Sequence, residues 1–201
     1  MLIPIRYLNK TKQRGFTLIE MLVAMAISSL ICIAVMSSIP SIFKEAYRAY
    51  FQYQLNREVW QILLNMEKDF RRIGYCSDSD CAGEPIAISA KSLSEGRNTC
   101  IIFAYDQDLS GKWVDVKSKT TETDFFGYRL NNGKLESNRN VRDCRGTRWQ
   151  SLFDAKLVTV KKLSFNWLMN IQLLEVVMSV ETKLLPRQAF DYRIAVKLRN
   201  L

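Results

Sequence analysis

The sequence predicts an α+β fold in which one long N-terminal helix packs on a head of antiparallel β-strands. Two observations predict it. An apolar run over residues 16–39 is followed, as far as Ile73, by apolar residues at three- and four-residue steps, the period of an amphipathic helix. From Cys76 onward, apolar residues form short strand-like runs separated by turns, so we expect the helix to cover one face of a sheet.

The first element is long enough to cross a membrane. Its 24 residues, 16–39, carry one charge, Glu20, and at about 1.5 Å per residue they extend about 36 Å, against roughly 30 Å for a hydrocarbon core. Four basic residues and no acidic residue precede the run: Arg6, Lys10, Lys12 and Arg14. The positive-inside rule therefore predicts that residues 1–15 are a cytoplasmic leader and that the chain after Ile39 is outside.

Glu20 is the first functional candidate. An ionised carboxylate inside a membrane segment costs several kcal/mol unless another group satisfies it. A secretory signal peptide does not explain the segment, because its apolar core usually spans about 7–15 residues. The remaining alternative is a plain signal-anchor helix.

The residues around Glu20 resemble a known processing signal. The string from Gly15 to Glu20, Gly-Phe-Thr-Leu-Ile-Glu, follows a short basic leader and precedes Met-Leu-Val-Ala-Met-Ala-Ile, which resembles the class III signal of type IV pilins and type II secretion pseudopilins. The resemblance implies that a prepilin peptidase cuts between Gly15 and Phe16 and that Phe16 is then N-methylated. It also implies that Glu20 pairs with the Phe16 amine of a neighbouring subunit, in lipid that strengthens the ion pair.

Residues 40–75 are predicted to continue the helix into the head, giving about 58 residues from 16 to 73, with Gly74 as the C-cap. The predicted apolar face consists of Phe43, Tyr47, Tyr50, Phe51, Leu55, Val59, Ile62, Leu63, Met66, Phe70 and Ile73. Pro40 near the junction removes one backbone hydrogen bond and should kink the helix. The kink is either a simple bend at the membrane surface or, as the pilin resemblance implies, a place where the subunit stretches on assembly.

The head, residues 76–201, is predicted to be one β-rich domain with a single large antiparallel sheet. The predicted strand runs are 99–105, 157–160, 163–167, 173–180 and 190–198. The segment Asn131-Asn-Gly133 predicts a β-hairpin, and we also interpret Asp106 to Gly111 as a hairpin turn.

Cysteine usage agrees with this topology. Cys32 lies in the apolar run and is interpreted as a small apolar residue. Four cysteines fall outside the membrane, where disulfides form, and they permit three connectivities: Cys76, Cys81, Cys100 and Cys144. We favour Cys76–Cys81, which closes a small loop, and Cys100–Cys144, which ties a central strand to a late loop. A zinc site is the alternative, although the spacing is not Cys-x-x-Cys.

Enzyme chemistry and metal binding have little support. The chain has no histidine, which excludes Ser-His-Asp and Cys-His arrangements and any histidine metal centre. The segment Asp106-x-Asp108-x-x-Gly111 begins like a calcium loop but lacks the bidentate glutamate at the expected distance, and Asp78-x-Asp80 is a weaker candidate. We therefore expect no cofactor and no metal site.

A basic loop surrounds Cys144. Arginines recur every three positions and are followed by an aromatic residue: Arg139, Arg142, Arg145, Arg148 and Trp149. Such a cluster can contact nucleic-acid phosphates, with Trp149 as a stacking platform. The alternative is a solvated loop whose arginines pair with Asp143 and Asp154. The formal net charge of +9 does not decide between them, since removing the four leader charges leaves +5.

Strings in the head narrow the resemblance. The segments Arg72-Ile-Gly-Tyr-Cys76 and Gly127-Tyr-Arg-Leu-Asn-Asn-Gly-Lys-Leu-Glu136, with a second cysteine at Cys81, resemble minor pilins of the prepilin peptidase-dependent protein B group, related to J-type pseudopilins and W-type minor pilins. The resemblance implies a non-enzymatic inner-membrane protein with a periplasmic head. Its implied partners are the prepilin peptidase, other minor pilins, the major pilin or pseudopilin, and the inner-membrane assembly platform.

The predicted function is to help initiate or cap a type IV pilus or a type II secretion pseudopilus. A subunit at the extreme tip has no neighbour above it whose amine needs Glu20, so the presence of Glu20 suggests a position just below the tip. One alternative is a component of a DNA-uptake (competence) pilus whose basic loop contacts DNA. A membrane-tethered hydrolase is a third hypothesis, which the absence of histidine disfavours.

Overall fold

A computed structural model describes residues 15–78, 80–90, 96–117, 120–185 and 188–201. The four basic leader residues named above lie outside these described residues. The chain divides into two compact units, Met1–Ala49 and Tyr50–Leu201, and the division falls inside the first helix.

A single helix, α1, runs from Leu18 to Phe70 and has 53 residues. It begins two residues later than predicted because Thr17 caps it. The Thr17 hydroxyl accepts the backbone N–H of Glu20 at 3.3 Å, which satisfies one of the free donors of the first turn. The helix is continuous through Pro40.

The helix ends in a tight turn that leads into Gly74. Backbone hydrogen bonds spanning three residues, such as the one from Ile73 to Phe70 at 3.1 Å, replace the α-helical pattern, so α1 ends three residues before its predicted end at Ile73. Gly74 has a φ of +80°, and a Cβ there would lie 2.6 Å from the carbonyl oxygen of Asn200. Glycine is required at this position for both reasons.

The C-terminal part of α1 contributes its predicted apolar face to the core. Five of its residues at helical spacing are buried: Leu55, Val59, Leu63, Met66 and Phe70. Ile73, just after the helix, is buried as well. Phe51 and Ile62 are half-buried. The upstream part of the predicted face is wrong, since Phe43, Tyr47 and Tyr50 are each more than half exposed. The helical period continues beyond the stretch that packs on the sheets, so it does not show where packing begins.

Ten strands follow α1 in the described part of the chain: β1 Ile86–Ser89, β2 Cys100–Ala104, β3 Val114–Lys117, β4 Thr120–Thr123, β5 Phe125–Asn131, β6 Lys134–Arg139, β7 Gln150–Ser151, β8 Val158–Leu168, β9 Leu173–Thr182 and β10 Ala189–Lys197. A short 3-10 helix, Met169–Ile171, lies between β8 and β9.

The strands form antiparallel sheets, as predicted, but not a single one. The described strands give a five-stranded sheet in the order β1-β2-β5-β6-β7, a three-stranded sheet in the order β10-β9-β8, and a β3-β4 ribbon. The prediction of one large sheet is wrong because β7, which has two residues, ends the larger sheet. The chain then starts a second sheet with β8.

The predicted strand runs are mostly confirmed. Three of them correspond to β2, β9 and β10. The runs 157–160 and 163–167 are instead one strand, β8, because a β-bulge between Val160 and Lys162 carries the strand past two consecutive lysines.

The two predicted turns have different outcomes. Asn132 and Gly133 form the two-residue turn between β5 and β6, with φ values of +49° and +73°, so this hairpin is confirmed. The segment 106–111 is not a hairpin turn. The strand before it, β2, pairs with β1 and β5, whereas the strand after it, β3, pairs with β4.

One core joins α1 to both larger sheets. The fully buried ring of Phe70 meets Phe103 and Tyr128 of the five-stranded sheet at centroid distances of 5.3 and 5.8 Å, and Phe165 of the three-stranded sheet at 6.3 Å. All three contacts are edge to face, a favourable arrangement for aromatic rings. Both sheets therefore bury their inner faces against the same helix.

Two disulfides join the predicted partners, Cys76 to Cys81 and Cys100 to Cys144. The first closes a loop just after α1, and the second ties β2 to the loop between β6 and β7. The zinc alternative is wrong because all four sulfur atoms are used in disulfides. Cys32 is a free cysteine on the exposed surface of α1.

Asp106 fastens the loop after β2 to the segment that follows α1. Its buried carboxylate accepts the Ser77 hydroxyl and three backbone N–H groups, those of Ser77, Ser110 and Gly111, each at 3.0 Å. Burial by itself raises the pKa of Asp106, but these hydrogen bonds lower it by more, so the pKa lies below its ordinary value.

Replacing Phe70 with alanine should destabilise the protein by about 3–5 kcal/mol, because the cavity opens between rings of both sheets. Urea unfolding of the full-length chain in detergent measures the change. Tyr53→Ala is the control, since Tyr53 is 66% exposed on the same helix and should change stability by no more than about 0.5 kcal/mol. A cost below about 1 kcal/mol for Phe70→Ala would contradict the shared core.

Replacing Asp106 with asparagine should cost about 1–3 kcal/mol at neutral pH, because buried donors lose a charged acceptor. The native pKa of Asp106 lies below the unfolded value of about 3.9. The carboxylate therefore stabilises the native state fully above that value, and the contribution is lost as the pH falls through the native pKa. Unfolding curves at several pH values should show that the difference in free energy of unfolding between wild type and variant, the gap, narrows below about pH 4. A gap independent of pH would refute this role.

Candidate functional site

The predicted cleavage bond is accessible. Gly15 and Phe16 precede α1 in non-helical conformation, and both are exposed. Phe16 is 77% exposed, and apart from Gly15 and its chain neighbours no atom of the described residues lies within 4 Å of the place that a Cβ would take on Gly15. An enzyme can therefore approach the bond between these residues without unwinding the helix.

Thr17 has a role that the sequence reasoning missed. Thr17 and Glu20 occupy the first and fourth positions of a Thr-x-x-Glu segment, the spacing of a capping box, and this spacing is the signal that could have identified the cap. The cap places Glu20 in the first turn of α1, where the helix dipole favours a negative charge by about 0.3–1 kcal/mol. This is less than the cost of an unpaired carboxylate in lipid.

The N-terminal part of α1 is apolar on all sides. Every large apolar side chain from residue 16 to residue 36 is more than half exposed, and α1 is long and apolar enough to cross a membrane. A helix that is apolar all round needs lipid or other helices to cover it.

Glu20 is the side chain in this segment that still needs a polar partner. The serine hydroxyls of the segment donate to backbone carbonyls three or four residues earlier: Ser28, Ser29, Ser37, Ser38 and Ser41. Such bonds satisfy hydroxyls inside a helix. Among the described residues no cationic group lies within ion-pair distance of the Glu20 carboxylate. A partner for Glu20 must therefore come from beyond these residues.

A second candidate site, the basic loop, connects β6 to β7. Arg139 is the last residue of β6, and three further arginines follow in the loop: Arg142, Arg145 and Arg148. All four are exposed. Residues of the loop line a cleft of about 340 Å³. Arg139 also lies over the ring of Phe126, 5.8 Å from its centroid.

A buried ion pair, which the sequence analysis did not identify, holds the loop in place. Arg129 and Glu136 lie opposite each other on β5 and β6 and are 2.8 Å apart. Arg129 also donates to the carbonyls of Cys144 and Gly146, at 2.7 and 3.2 Å. The predicted Asn-Gly hairpin implies this register, so the opposed charges could have been identified from it.

Trp149 is not a free stacking platform, contrary to the prediction. The Arg129 guanidinium lies over its ring, 4.2 Å from the centroid, and the ring packs against Gly127, where a Cβ would lie 2.8 Å from it. Trp149 therefore helps to position the loop.

The predicted pairing of the arginines with Asp143 and Asp154 is also wrong. Asp143 accepts the backbone N–H groups of Arg145 and Gly146 at 2.8 and 3.0 Å, which lowers its pKa. Asp154 accepts the backbone N–H of Lys156 at 2.9 Å. Both carboxylates are used to shape turns, and among the described residues no carboxylate lies within 4 Å of the guanidinium group of a loop arginine.

The calcium candidates form turns in the structure. Carboxylate oxygens of Asp106, Asp108 and Asp124 lie within 4.8 Å of one another. Asp106, however, accepts N–H and O–H donors with both of its oxygens, and Asp108 accepts the N–H of Ser110 at 3.1 Å. At the weaker candidate, Asp80 faces Lys112 at 3.9 Å. In this structure protein groups therefore contact carboxylate oxygens of Asp106, Asp108 and Asp80.

Two family models match separate parts of the chain. A family model described as prepilin peptidase-dependent protein B matches residues 48–199, and one for the prokaryotic N-terminal methylation motif matches residues 10–36. The chain is 29% identical over 149 residues to prepilin peptidase-dependent protein B of Escherichia coli K12, covering 74% of this chain and 75% of that protein. It is 23% identical over 191 residues to an uncharacterized protein of Haemophilus influenzae, covering 73% and 80%. No solved structure matches significantly.

These matches confirm the resemblance seen in the sequence. The methylation motif covers the cleavage candidate and Glu20, and the other family model covers the packed part of α1 with the head. The chain belongs to the prepilin peptidase-dependent protein B family and is a type IV pilin-like minor pilin.

Proposed function

We propose that this chain is a non-enzymatic minor subunit that helps initiate or cap assembly of a type IV pilus or a type II secretion pseudopilus. The observation that carries the proposal is Glu20, a carboxylate in a fully exposed apolar helix whose serine hydroxyls are all satisfied internally. In its ionised form such a group is costly in lipid unless it pairs with a cation.

Processing supplies that cation. In the proposed pathway the basic leader keeps the N-terminus in the cytoplasm of a single-pass inner-membrane protein, and the prepilin peptidase cuts between Gly15 and Phe16. The new Phe16 amine is N-methylated and stays basic. The exposed, non-helical conformation of these two residues supports access by the enzyme.

Assembly uses the amine and the carboxylate as an intersubunit pair. Glu20 of one subunit accepts the Phe16 amine of the next, and the low dielectric of lipid strengthens their attraction. The pair fixes the axial register of neighbouring helices. A subunit at the extreme tip has no amine above it to bind, so Glu20 favours a position just below the tip, among other minor pilins and above the major subunits on the assembly platform.

Glu20→Ala should leave membrane insertion and leader cleavage intact and reduce incorporation into filaments at least about tenfold, which corresponds to about 1.4 kcal/mol. Quantitative immunoblotting of sheared filaments and of membranes measures how the subunit is divided between the two fractions. Ser29→Ala is the matched control, because the Ser29 hydroxyl only bonds to Ala26 within the helix. Normal filaments and normal recovery of partner pilins with Glu20→Ala would contradict the proposal.

The basic loop supports a second candidate function, contact with DNA in an uptake pilus. Its exposed arginines form no ion pair within 4 Å with a described acidic residue, while Arg129 and the Cys100–Cys144 disulfide hold the loop in place. Because Arg129 occupies a face of the Trp149 ring, base stacking is not the favoured contact. The loop suits the phosphates of duplex DNA better than single strands.

If this candidate is correct, the full-length chain in detergent binds duplex DNA, and log affinity falls linearly with log salt concentration. Arg142→Glu with Arg145→Glu should abolish binding in a fluorescence anisotropy titration. Lys134→Glu with Lys156→Glu is the control, since it makes the same charge change at exposed sites outside the loop. Equal losses in the two double variants would indicate a net-charge effect and reject the loop as a specific contact.

A further inference from the structure

The three-stranded sheet ends in a long strand that has no neighbouring strand on its outer side within the described part of the chain. β10 has nine residues and pairs with β9, and no backbone hydrogen bond from a described residue reaches its other side. The remaining edges are short or covered. Strands β1, β3, β4 and β7 have two to four residues, and β8 donates the N–H groups of Val160 and Phe165 to Gly133 and Asn98. An open edge of this length is a template for another strand.

The hydrogen-bond register shows which residues of β10 face outward. The Leu198 N–H donates to the Gln172 carbonyl, and this pair continues the register in which Val196 lies opposite Leu174. Hydrogen-bonded positions alternate along antiparallel strands. The even-numbered residues of β10 therefore bond to β9, and the odd-numbered ones, 189 to 197, point their N–H and C=O groups outward.

Apolar surface lies beside this open edge. Phe190 and Ile194, on the inner face of β10, are only half-buried. Trp60 of α1 packs edge to face on Tyr192 with ring centroids 6.1 Å apart, yet it remains 45% exposed. An added strand would cover these side chains with alternate residues of its own, as strand addition to a sheet edge requires. An exposed tryptophan is the usual anchor of such an interface.

The direction of β10 argues against a second copy of this chain as the occupant. The Tyr192 hydroxyl bonds to Asn56, early in the packed part of α1, while the Asn200 amide bonds to the Ile73 carbonyl at its end. β10 therefore runs the same way as α1. Two copies paired antiparallel through β10 would point the packed parts of α1, from Leu55 to Phe70, in opposite directions, whereas the proposed function requires neighbouring subunits to share one orientation.

A parallel pair of copies is also disfavoured. In a parallel pair the twofold axis would run along the strands, so one copy would be turned over relative to the other. The charged face of one β10, which carries Asp191 and Arg193, would then lie on the same side of the joined sheet as the apolar inner face of the other. Parallel pairing is also less stable per residue than antiparallel pairing.

We propose that β10 accepts an extended strand from a different pilin-like subunit, which pairs with it antiparallel and completes the three-stranded sheet. This inference rests on the proposed function, which supplies such subunits as neighbours. The added strand carries apolar residues at alternate positions over Trp60, Phe190 and Ile194. On its other face an acidic residue lies near Lys197 and a basic one near Asp191, because opposite charges stabilise cross-strand neighbours.

The test is site-specific photo-crosslinking of the full-length chain in native cells that make the other pilin-like subunits. Benzoylphenylalanine replaces Lys197 on the open edge or, as a control, Lys134, an exposed residue of the five-stranded sheet. Mass spectrometry identifies the crosslinked protein. The proposal expects another pilin-like subunit at position 197 and no such product at position 134.

Ala195→Pro tests whether backbone pairing carries the contact. It removes one outward N–H and leaves the bonds to β9 in place, which sheet edges tolerate; Ala195→Thr keeps the donor and is its control. The Pro variant should lower the crosslink at least about tenfold and the Thr variant should not. If Ala195→Pro lowers the unfolding midpoint, Trp60→Ala decides instead, with the same expected loss.

Several outcomes would overturn the inference: a crosslink from position 197 to a second copy of this chain, no crosslink to any subunit, or a crosslink that survives both Ala195→Pro and Trp60→Ala. The Glu20→Ala measurement separates these from a failure of the proposed function. If Glu20→Ala blocks incorporation and position 197 of the wild type still gives no partner, the edge inference fails and the proposed function stands.

Discussion

The constraint on which the rest depends is one carboxylate in a helix that is otherwise apolar. Thr17 caps the helix beneath Glu20 and the helix dipole offsets part of the charge, but both effects are small beside the cost of an unpaired acid in lipid. The hydroxyls along the same segment are satisfied by carbonyls of their own helix. Among the described residues of this segment, Glu20 is the polar side chain left without a partner, and the proposed assembly would supply one.

The head is a small domain whose two larger sheets share one hydrophobic core. Alone, neither larger sheet has a second layer, and the face of α1 from Leu55 to Phe70 supplies that layer to both. Phe70 touches rings of both sheets, so it joins them through one side chain. Among the described strands the other edges are short or covered, and β10 has the one long open edge. An assembly module whose sheet lacks one strand is consistent with a protein that works among other subunits.

The local sequence was sufficient to predict the structure wherever one short segment determines it. The Asn132-Gly133 turn, the C-cap at Gly74 and the helical spacing of the buried face could all be predicted. Features that depend on distant partners could not. The apolar period of Phe43 and Tyr47 looks like that of Leu55, although only Leu55 meets the core. The two consecutive lysines at the β8 bulge look like the end of one strand and the start of another. Polar residues alone do not distinguish a bulge from a break between strands.

The candidate sites show the same division. The Glu20 motif was recognisable because its residues are consecutive, whereas the role of Trp149 depends on Arg129 of strand β5.

The central claim is that Glu20 is neutralised by an amine that processing creates. The mass of the intact chain from native membranes with an active prepilin peptidase tests this claim most directly. The account predicts a chain that begins at Phe16 and carries one N-methyl group. A chain from those membranes that still begins at Met1 would contradict it.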